Sequence, residues 1–385
     1  MNYLIVSSPF RKGLQIALLM LLVTAALGSS AAHAAGLCVH PAGAGRCFTS
    51  IQAAVDAANS GDSITIRPGK YIEQVTIFGK DLTLVGRSGV VIQAPAEMQD
   101  TLSLVAGVEG RPILLVTEAA VTLRDLTIDG ANSAENNPFL EGIVYINADG
   151  VVRDNVIKNI GFGQPTLPII DEQPSYQGEG MLVVNFGLSP RAVTIEGNKV
   201  LNYNSSGITI FAQGMPEDPT LGSLTVDVVD NTVVGSGQNS VLGQWGIFFG
   251  GYENAQITGS LKGNQIQDLL TIDLYPSPGV GIATRLTTNV QIADNVIENV
   301  NMGLTMSGWY TQVLENRFKK LDTGILLFVE DPDFGSAIGS MLDENRFEHV
   351  GLDMMTGPGM SFSMAAARAE QSSSQGARYR FFHQP

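Results

Sequence analysis

Asn295-Val296-Ile297-Glu298-Asn299 is followed, 21 residues on, by Asn316-Arg317-Phe318-Lys319-Lys320, and this spacing decides the fold. The same pattern, an Asn with an apolar residue two places later, also starts at Asn155, Asn198, Asn231, Asn264 and Asn345. A pattern recurring every 21 to 43 residues marks a solenoid. The shortest interval has room for one coil of three short strands, so the longer ones are coils with inserted loops. Equivalent residues of successive coils stack about 4.8 Å apart. Ile157, Val200, Val233, Ile266, Ile297, Phe318 and Phe347 are therefore expected to form an inward apolar column. The leading asparagines are expected to form a side-chain amide ladder that satisfies turn backbone groups.

A second strand follows in most coils and opens on glycine: Gly142-Ile143, Gly180-Met181, Gly207-Ile208, Gly246-Ile247, Gly281-Ile282, Gly303-Leu304 and Gly324-Ile325. Side chains alternate across a strand, so the residue after each pair points outward. These are Val144, Leu182, Thr209, Phe248, Ala283, Thr305 and Leu326, and two places further on Ile146, Val184, Phe211, Gly250, Arg285, Ser307 and Phe328. No acid stands among them. A face this apolar is expected to be covered by loops, a partner or a ligand.

Ahead of the repeats, Thr49-Ser50-Ile51-Gln52 reads as a capping box, with Thr49 as the cap and Gln52 reaching back. Ile51, Ala54, Val55 and Ala58 then make one helical stripe that stops at Asn59-Ser60-Gly61. After it the apolar period switches to two, as in Ile64 and Ile66, Val75 and Ile77, and Leu82 and Leu84. A short amphipathic helix in this place covers the open end of a solenoid, which would otherwise expose core and unpaired strand edges.

The run from Ser50-Ile51-Gln52-Ala53-Ala54 through Gly61-Asp62-Ser63-Ile64, Pro68-Gly69-Lys70-Tyr71 and Leu82-Thr83-Leu84-Val85-Gly86 resembles the N-terminal signature of the pectin-lyase-like superfamily, which includes pectinesterases. The resemblance implies an all-β chain, a right-handed parallel β-helix with a short N-terminal capping helix. It does not extend to the motifs that carry activity. The Asn-Thr-Asp, Asp-Asp and Gly-His-Gly segments of polygalacturonase-like members do not occur, and of the pectinesterase segments Gln-Asp-Thr is present only as Gln99-Asp100-Thr101, without the Asp-Phe-Ile-Phe run. Pectate-lyase members use a Ca²⁺-binding acid cluster with an Arg base. Arg285 is the one outward cation of the Gly-Ile face, with Asp273, Asp268 and Glu253 as acids to set beside it.

Residues 1–34 read as a secretory signal: Arg11 and Lys12 precede the apolar run Leu14 to Leu27, and Ala32-His33-Ala34 gives a small-x-small cleavage pattern. That run is shorter than the roughly 20 residues of a membrane span, and no later segment is long and apolar enough. The expected organisation is 35–62 as the cap, 63–352 as the β-helix and 353–385 as a closing cap or flexible tail. A secreted or periplasmic location favours a disulfide between Cys38 and Cys47, the only cysteines. The alternative, a metal site, needs further ligands, and only His40 is near. The formal net charge of −15 argues against nucleic acid, whose phosphates need a basic face.

Inserted loops before and after the Gly-Ile strand are expected to wall a groove along the solenoid. Tyr275, Trp245, Trp309 and Tyr310, with Glu179 and Asp273, are the candidate contacts for sugar rings, which need an apolar face to stack on and acceptors for hydroxyls. Asp125 and Asp129, four apart on an expected strand, read as turn and surface residues. The functional expectation is an exported β-helix that binds or processes a polysaccharide, a lyase acting on a uronate-containing polymer if it cleaves, with Arg285 at the centre and Ca²⁺ as the ion such a reaction would use. The competing expectation is a non-catalytic surface or periplasmic scaffold whose apolar face is covered by its own loops or a protein partner.

Overall fold

The computed structural model describes residues 36–105, 108–161, 169–170, 173–174, 178–187, 189–213, 222–237, 243–252, 257–271, 278–327, 340–356 and 379–380. The chain is a right-handed parallel β-helix. One ladder of parallel strands runs from Gly36–Val39 and Ser63–Ile66 to Gln312–Leu314 and Met341–Asp343. A second, from Gly69–Ile72 through Val156–Ile160 to Gln265–Leu269, carries the Asn segments. A third holds the Gly-Ile segments in Leu140–Ile146, Glu179–Asn185, Ser206–Gln213, Trp245–Tyr252 and Val280–Thr288. In the last coils the second and third strands run on without a break, as Val296–Trp309, Arg317–Leu327 and Arg346–Thr356.

The register is the one the repeat predicts. Ile157 pairs with Val200, Val200 with Val233, Val233 with Ile266, Ile266 with Ile297, Ile297 with Phe318 and Phe318 with Phe347. All but Phe347 are at most 1% exposed, and Phe318 and Phe347 stack with centroids 5.1 Å apart. Each buried aliphatic of this column contributes about 1.5–3 kcal/mol relative to the solvated chain.

The asparagine ladder forms as well. Asn198 donates from its backbone N to Asn231 Oδ1 at 2.9 Å and from Nδ2 to Val152 O at 2.7 Å and Asn231 Oδ1 at 3.0 Å. The pattern repeats from Asn155 to Asn345. The residue before each Asn turns the corner in the left-handed region, at φ 56° for Asp154, 54° for Asp230 and 58° for Asp294. Asp tolerates that conformation through its short polar side chain, which explains its recurrence there.

The capping helix, α1 (Ile51–Ala57), differs from expectation in how it starts. Its cap is Ser50, whose Oγ accepts from Ala53 N at 3.1 Å, and not Thr49. Gln52 does not reach back, because its amide is engaged with Thr76 N and O of the next coil. The free amides of Ile51 and Gln52 donate instead to the Glu73 carboxylate, at 2.9 and 3.1 Å. An anion at a helix N-terminus is favoured, and here it comes from a strand-turn residue 22 positions away. Cys38 and Cys47 form the expected disulfide, which ties the first strand of the solenoid to the loop before α1.

Among the described residues, strands pair antiparallel only at the margins of the solenoid. Leu102–Val105 folds back on Val108–Thr117, Ile169–Ile170 pairs with Gln173–Pro174, and Tyr379–Arg380 adds to Met341–Asp343. The last pairing blocks that ladder against further strand addition by a second chain.

Candidate functional site

The glycines at the head of the third strand determine what faces outward. A Cβ on Gly281 would stand 2.6 Å from Ile297 Cγ2, and on Gly303 2.5 Å from Phe318 Cδ1, so the glycine position points into the solenoid together with its apolar successor. Two consecutive inward positions break the alternation, and the residue before each glycine therefore shares the outer face with the residue after the Gly-Ile pair. This adds a row that counting forward from glycine misses: Glu141, Glu179, Ser206, Trp245, Val280, Met302 and Thr323, paired coil to coil in that order. The expectation of a face without acids is thus corrected, since Glu141 and Glu179 stand side by side on it. The sequence signal was there in the repeated Glu-Gly of Glu141-Gly142 and Glu179-Gly180.

At its N-terminal end the face is covered, as its apolarity requires. Leu115, Val144, Leu182 and Val184 form a separate buried cluster on which Leu102, Ile146, Phe186 and Phe211 pack. Leu102 belongs to the hairpin strand Leu102–Val105, so part of the cover is the chain's own.

Further along the axis the face opens into a cavity of about 360 Å³ lined by Trp245, Phe248, Ala283, Arg285, Met302 and Leu326 among others. Trp245 and Phe248 stack at 5.1 Å between centroids and 21° between planes. Gly250 makes the room, since a Cβ there would stand 2.8 Å from the Phe248 ring and 3.3 Å from Arg285 Cβ. Arg285 pairs in register with Gly250, and the strand then bulges: Thr284 pairs with Met306 but Thr287 with Gly308. Arg285 and Leu286, the latter at φ 52°, together oppose Ser307, so the expected one-to-one stacking of Arg285 on Ser307 does not hold. Bulges re-aim side chains in this way, and here the strand turns just after the guanidinium.

The sequence candidates thus divide. Trp245 and Arg285 meet in the cavity wall. Glu179 lies two coils from Trp245, roughly 10 Å along the axis by strand spacing, beside Glu141. Tyr310 is 59% exposed in the turn after Val296–Trp309 and does not line the cavity. Trp309 ends that strand opposite Thr288, and its side chain, like Tyr275, Asp273 and Glu253, lies outside the described residues. Asp268 lies in the strand Gln265–Leu269 with a left-handed φ of 63° and accepts from Asn299 Nδ2 at 2.7 Å, a structural role. Asp125 is likewise a corner residue, at φ 60°, and not on a strand with Asp129. Among the described residues no three His, Cys, Asp or Glu side chains come together, so the acid cluster a lyase-type Ca²⁺ would need beside Arg285 is not met there.

No protein-family model matches the chain. No curated protein matches it either. Solved structures with a similar course include ORF18 of Geobacillus virus E2, at 12% identity over 79% of this chain and 58% of that one, TM-score 0.47. The Dettilon tailspike protein is similar at 12% identity over 77% of this chain and 58% of that one, TM-score 0.44. Carrot pectin methylesterase is similar at 14% identity over 88% and 92%, TM-score 0.41. The chain spans 58% of the length of each of the first two.

The carboxyl pair has unusual electrostatics. Burial pushes Glu141 well above the ordinary carboxylate value, and the neighbouring Glu179 charge adds to the rise. Burial raises Glu179 from 4.5 to about 7, while the Thr209 hydroxyl opposes the shift. A carboxyl whose pKa is higher in the folded than in the unfolded chain binds its proton more tightly when folded, so stability is full below about pH 4.5 and is lost as pH rises to about 7. In EDTA the urea midpoint is expected to fall across that window. Glu179→Gln should flatten the fall, and an equal fall in the variant would show that other groups cause it.

Proposed function

We propose that this chain is an exported β-helix that binds a polysaccharide along the outer face of the Gly-Ile strands. The observation that carries the reading is the stacked Trp245–Phe248 pair in the wall of an open-faced cavity that also presents Arg285. The apolar face of a sugar ring packs on such a platform, and a guanidinium supplies planar donors to ring hydroxyls or to a carboxylate. The disulfide fits an extracellular or periplasmic setting, and no helix among the described residues is long and apolar enough to cross a membrane. The competing scaffold reading has support at the N-terminal end, where the chain fills its own face. The cavity lies beyond that cover.

Binding, and not cleavage, is the activity the described side chains support, because the described cavity wall holds one cation and no carboxylate. The test is affinity electrophoresis against acidic and neutral polysaccharides. Trp245→Ala is expected to weaken binding about tenfold, the loss of one central stacking anchor, and Tyr310→Ala to leave it unchanged. Equal retardation of wild type and Trp245→Ala would remove this cavity as the site. Release of unsaturated product from a uronate polymer, abolished by Arg285→Ala, would replace binding by a lyase reaction.

A further inference from the structure

The Glu141–Glu179 pair takes no part in the cavity, and its surroundings leave it incomplete. Glu141 is 5% exposed and Ser206 is fully buried. Glu141 Oε2 and Ser206 Oγ are buried without a hydrogen-bond partner, and the buried Glu179 carboxyl has only the Thr209 hydroxyl beside it. Glu141, Glu179 and Ser206 occupy one register position on three successive coils, so their side chains leave the sheet in the same direction at a spacing of about 4.8 Å. Thr209, three places beyond Ser206 on the same strand, is near enough to Glu179 to lower its pKa. Gly110 closes the other side: its missing side chain leaves space that Glu141 Oε2 fills, 2.7 Å from where a Cβ would be.

Buried polar atoms are as a rule satisfied, and the unpartnered oxygens of Glu141 and Ser206, on either side of a second buried carboxyl, point to a missing occupant. The two Oε2 atoms are not joined to each other by a hydrogen bond. The one basic side chain of the adjacent ladder strand Val108–Thr117, Arg111, is held by Asp100 at 2.6 Å and by Asn136 O at 3.1 Å. Two acids and two hydroxyls, with no nitrogen or sulfur, form a hard-oxygen donor set.

We propose that Glu141, Glu179, Ser206 and Thr209 hold a divalent cation of the Ca²⁺ class between successive coils. Its two positive charges match the two carboxylates, the hydroxyls add neutral ligands, and water completes a coordination shell that in Ca²⁺ tolerates irregular geometry. The site is separate from the Trp245 cavity and does not depend on the glycan reading. Its place under the hairpin Leu102–Val105/Val108–Thr117 gives it a structural role, joining two coils where the apolar cover begins.

The experiment compares thermal midpoints of EDTA-treated protein with and without millimolar Ca²⁺, together with a Tb³⁺ luminescence titration. Wild type is expected to gain several degrees and to bind one Tb³⁺ that Ca²⁺ displaces. Glu141→Gln/Glu179→Gln should lose the gain and bind Tb³⁺ at least about tenfold more weakly. Asp154→Asn, on the exposed acidic turn column, should behave as wild type. Should the double variant not fold, Ser206→Ala, which changes no charge, is expected to weaken Tb³⁺ binding on its own. No Ca²⁺-dependent gain in wild type, or a gain and a Tb³⁺ affinity that persist in these variants, overturns the site.

Discussion

Gly303→Ala is expected to lower the apparent thermal midpoint by roughly 6 °C or more, from a destabilisation of about 3 kcal/mol. The added Cβ would lie 2.5 Å from Gly324 O and 2.5 Å from Phe318 Cδ1. The first atom is backbone of the next coil, and the second belongs to a ring that is fully buried and stacked on Phe347. Neither can retreat without opening the parallel ladder or the inward column. The same collision recurs along the column: a Cβ on Gly207 would stand 2.7 Å from Gly246 O, and on Gly281 2.7 Å from Gly303 O. Each coil thus rests on the next through a glycine because only hydrogen fits between an inward Cα and the carbonyl stacked on it. Gly36→Ala, with nothing within 4 Å of the new methyl, is the control and should leave the midpoint unchanged. A Gly303→Ala midpoint within a degree of wild type would show that the strand can shift at little cost.

What could be read from the sequence was whatever repeats. The inward column, the Asn ladder and the glycine-headed strand each recur at one place per coil, and stacking turns recurrence directly into contact. The disulfide followed from having only two cysteines, nine positions apart, behind a stretch that reads as a secretory signal. The readings that needed correction depend on single, non-repeating geometry. Simple alternation forward from the glycine does not reach Glu141, because two inward positions in succession put the preceding residue on the outer face as well. The bulge at Arg285 and Leu286 has no local glycine or proline to announce it. The cap of α1 lies one residue on, at Ser50, where Glu73 from another turn of the chain accepts from the Ile51 and Gln52 amides while the Gln52 side chain is engaged with Thr76. Trp245 and Phe248 were legible one by one, but their stacking was not, since it needs the glycine between them to turn inward.

Asn231→Ala is expected to destabilise the β-helix by roughly 3–5 kcal/mol, because it strands several buried groups at once. Asn231 Oδ1 accepts from Asn198 N at 2.9 Å and Asn198 Nδ2 at 3.0 Å, and Asn231 Nδ2 donates to Ile195 O at 2.9 Å, Val229 O at 3.0 Å and Asn264 Oδ1 at 3.1 Å. The residue is fully buried, so alanine leaves the Asn198 amide and the Ile195 carbonyl facing a cavity, and each such buried group costs about 1–3 kcal/mol. Asn231→Asp keeps the volume and the acceptor but replaces a donor by a second acceptor, and adds a buried charge beside carbonyls that need a donor. It should therefore be at least as damaging at neutral pH and should recover in acid, where the protonated carboxyl can again donate. Urea midpoints at pH 7 and pH 4 separate the two variants: alanine should show a loss that differs from wild type equally at both, and aspartate one that shrinks in acid. If instead Asn231→Ala cost no more than the turn substitution Asp230→Ala, the ladder would be a by-product of the corner, and the left-handed residue before it would be what holds each coil to the next.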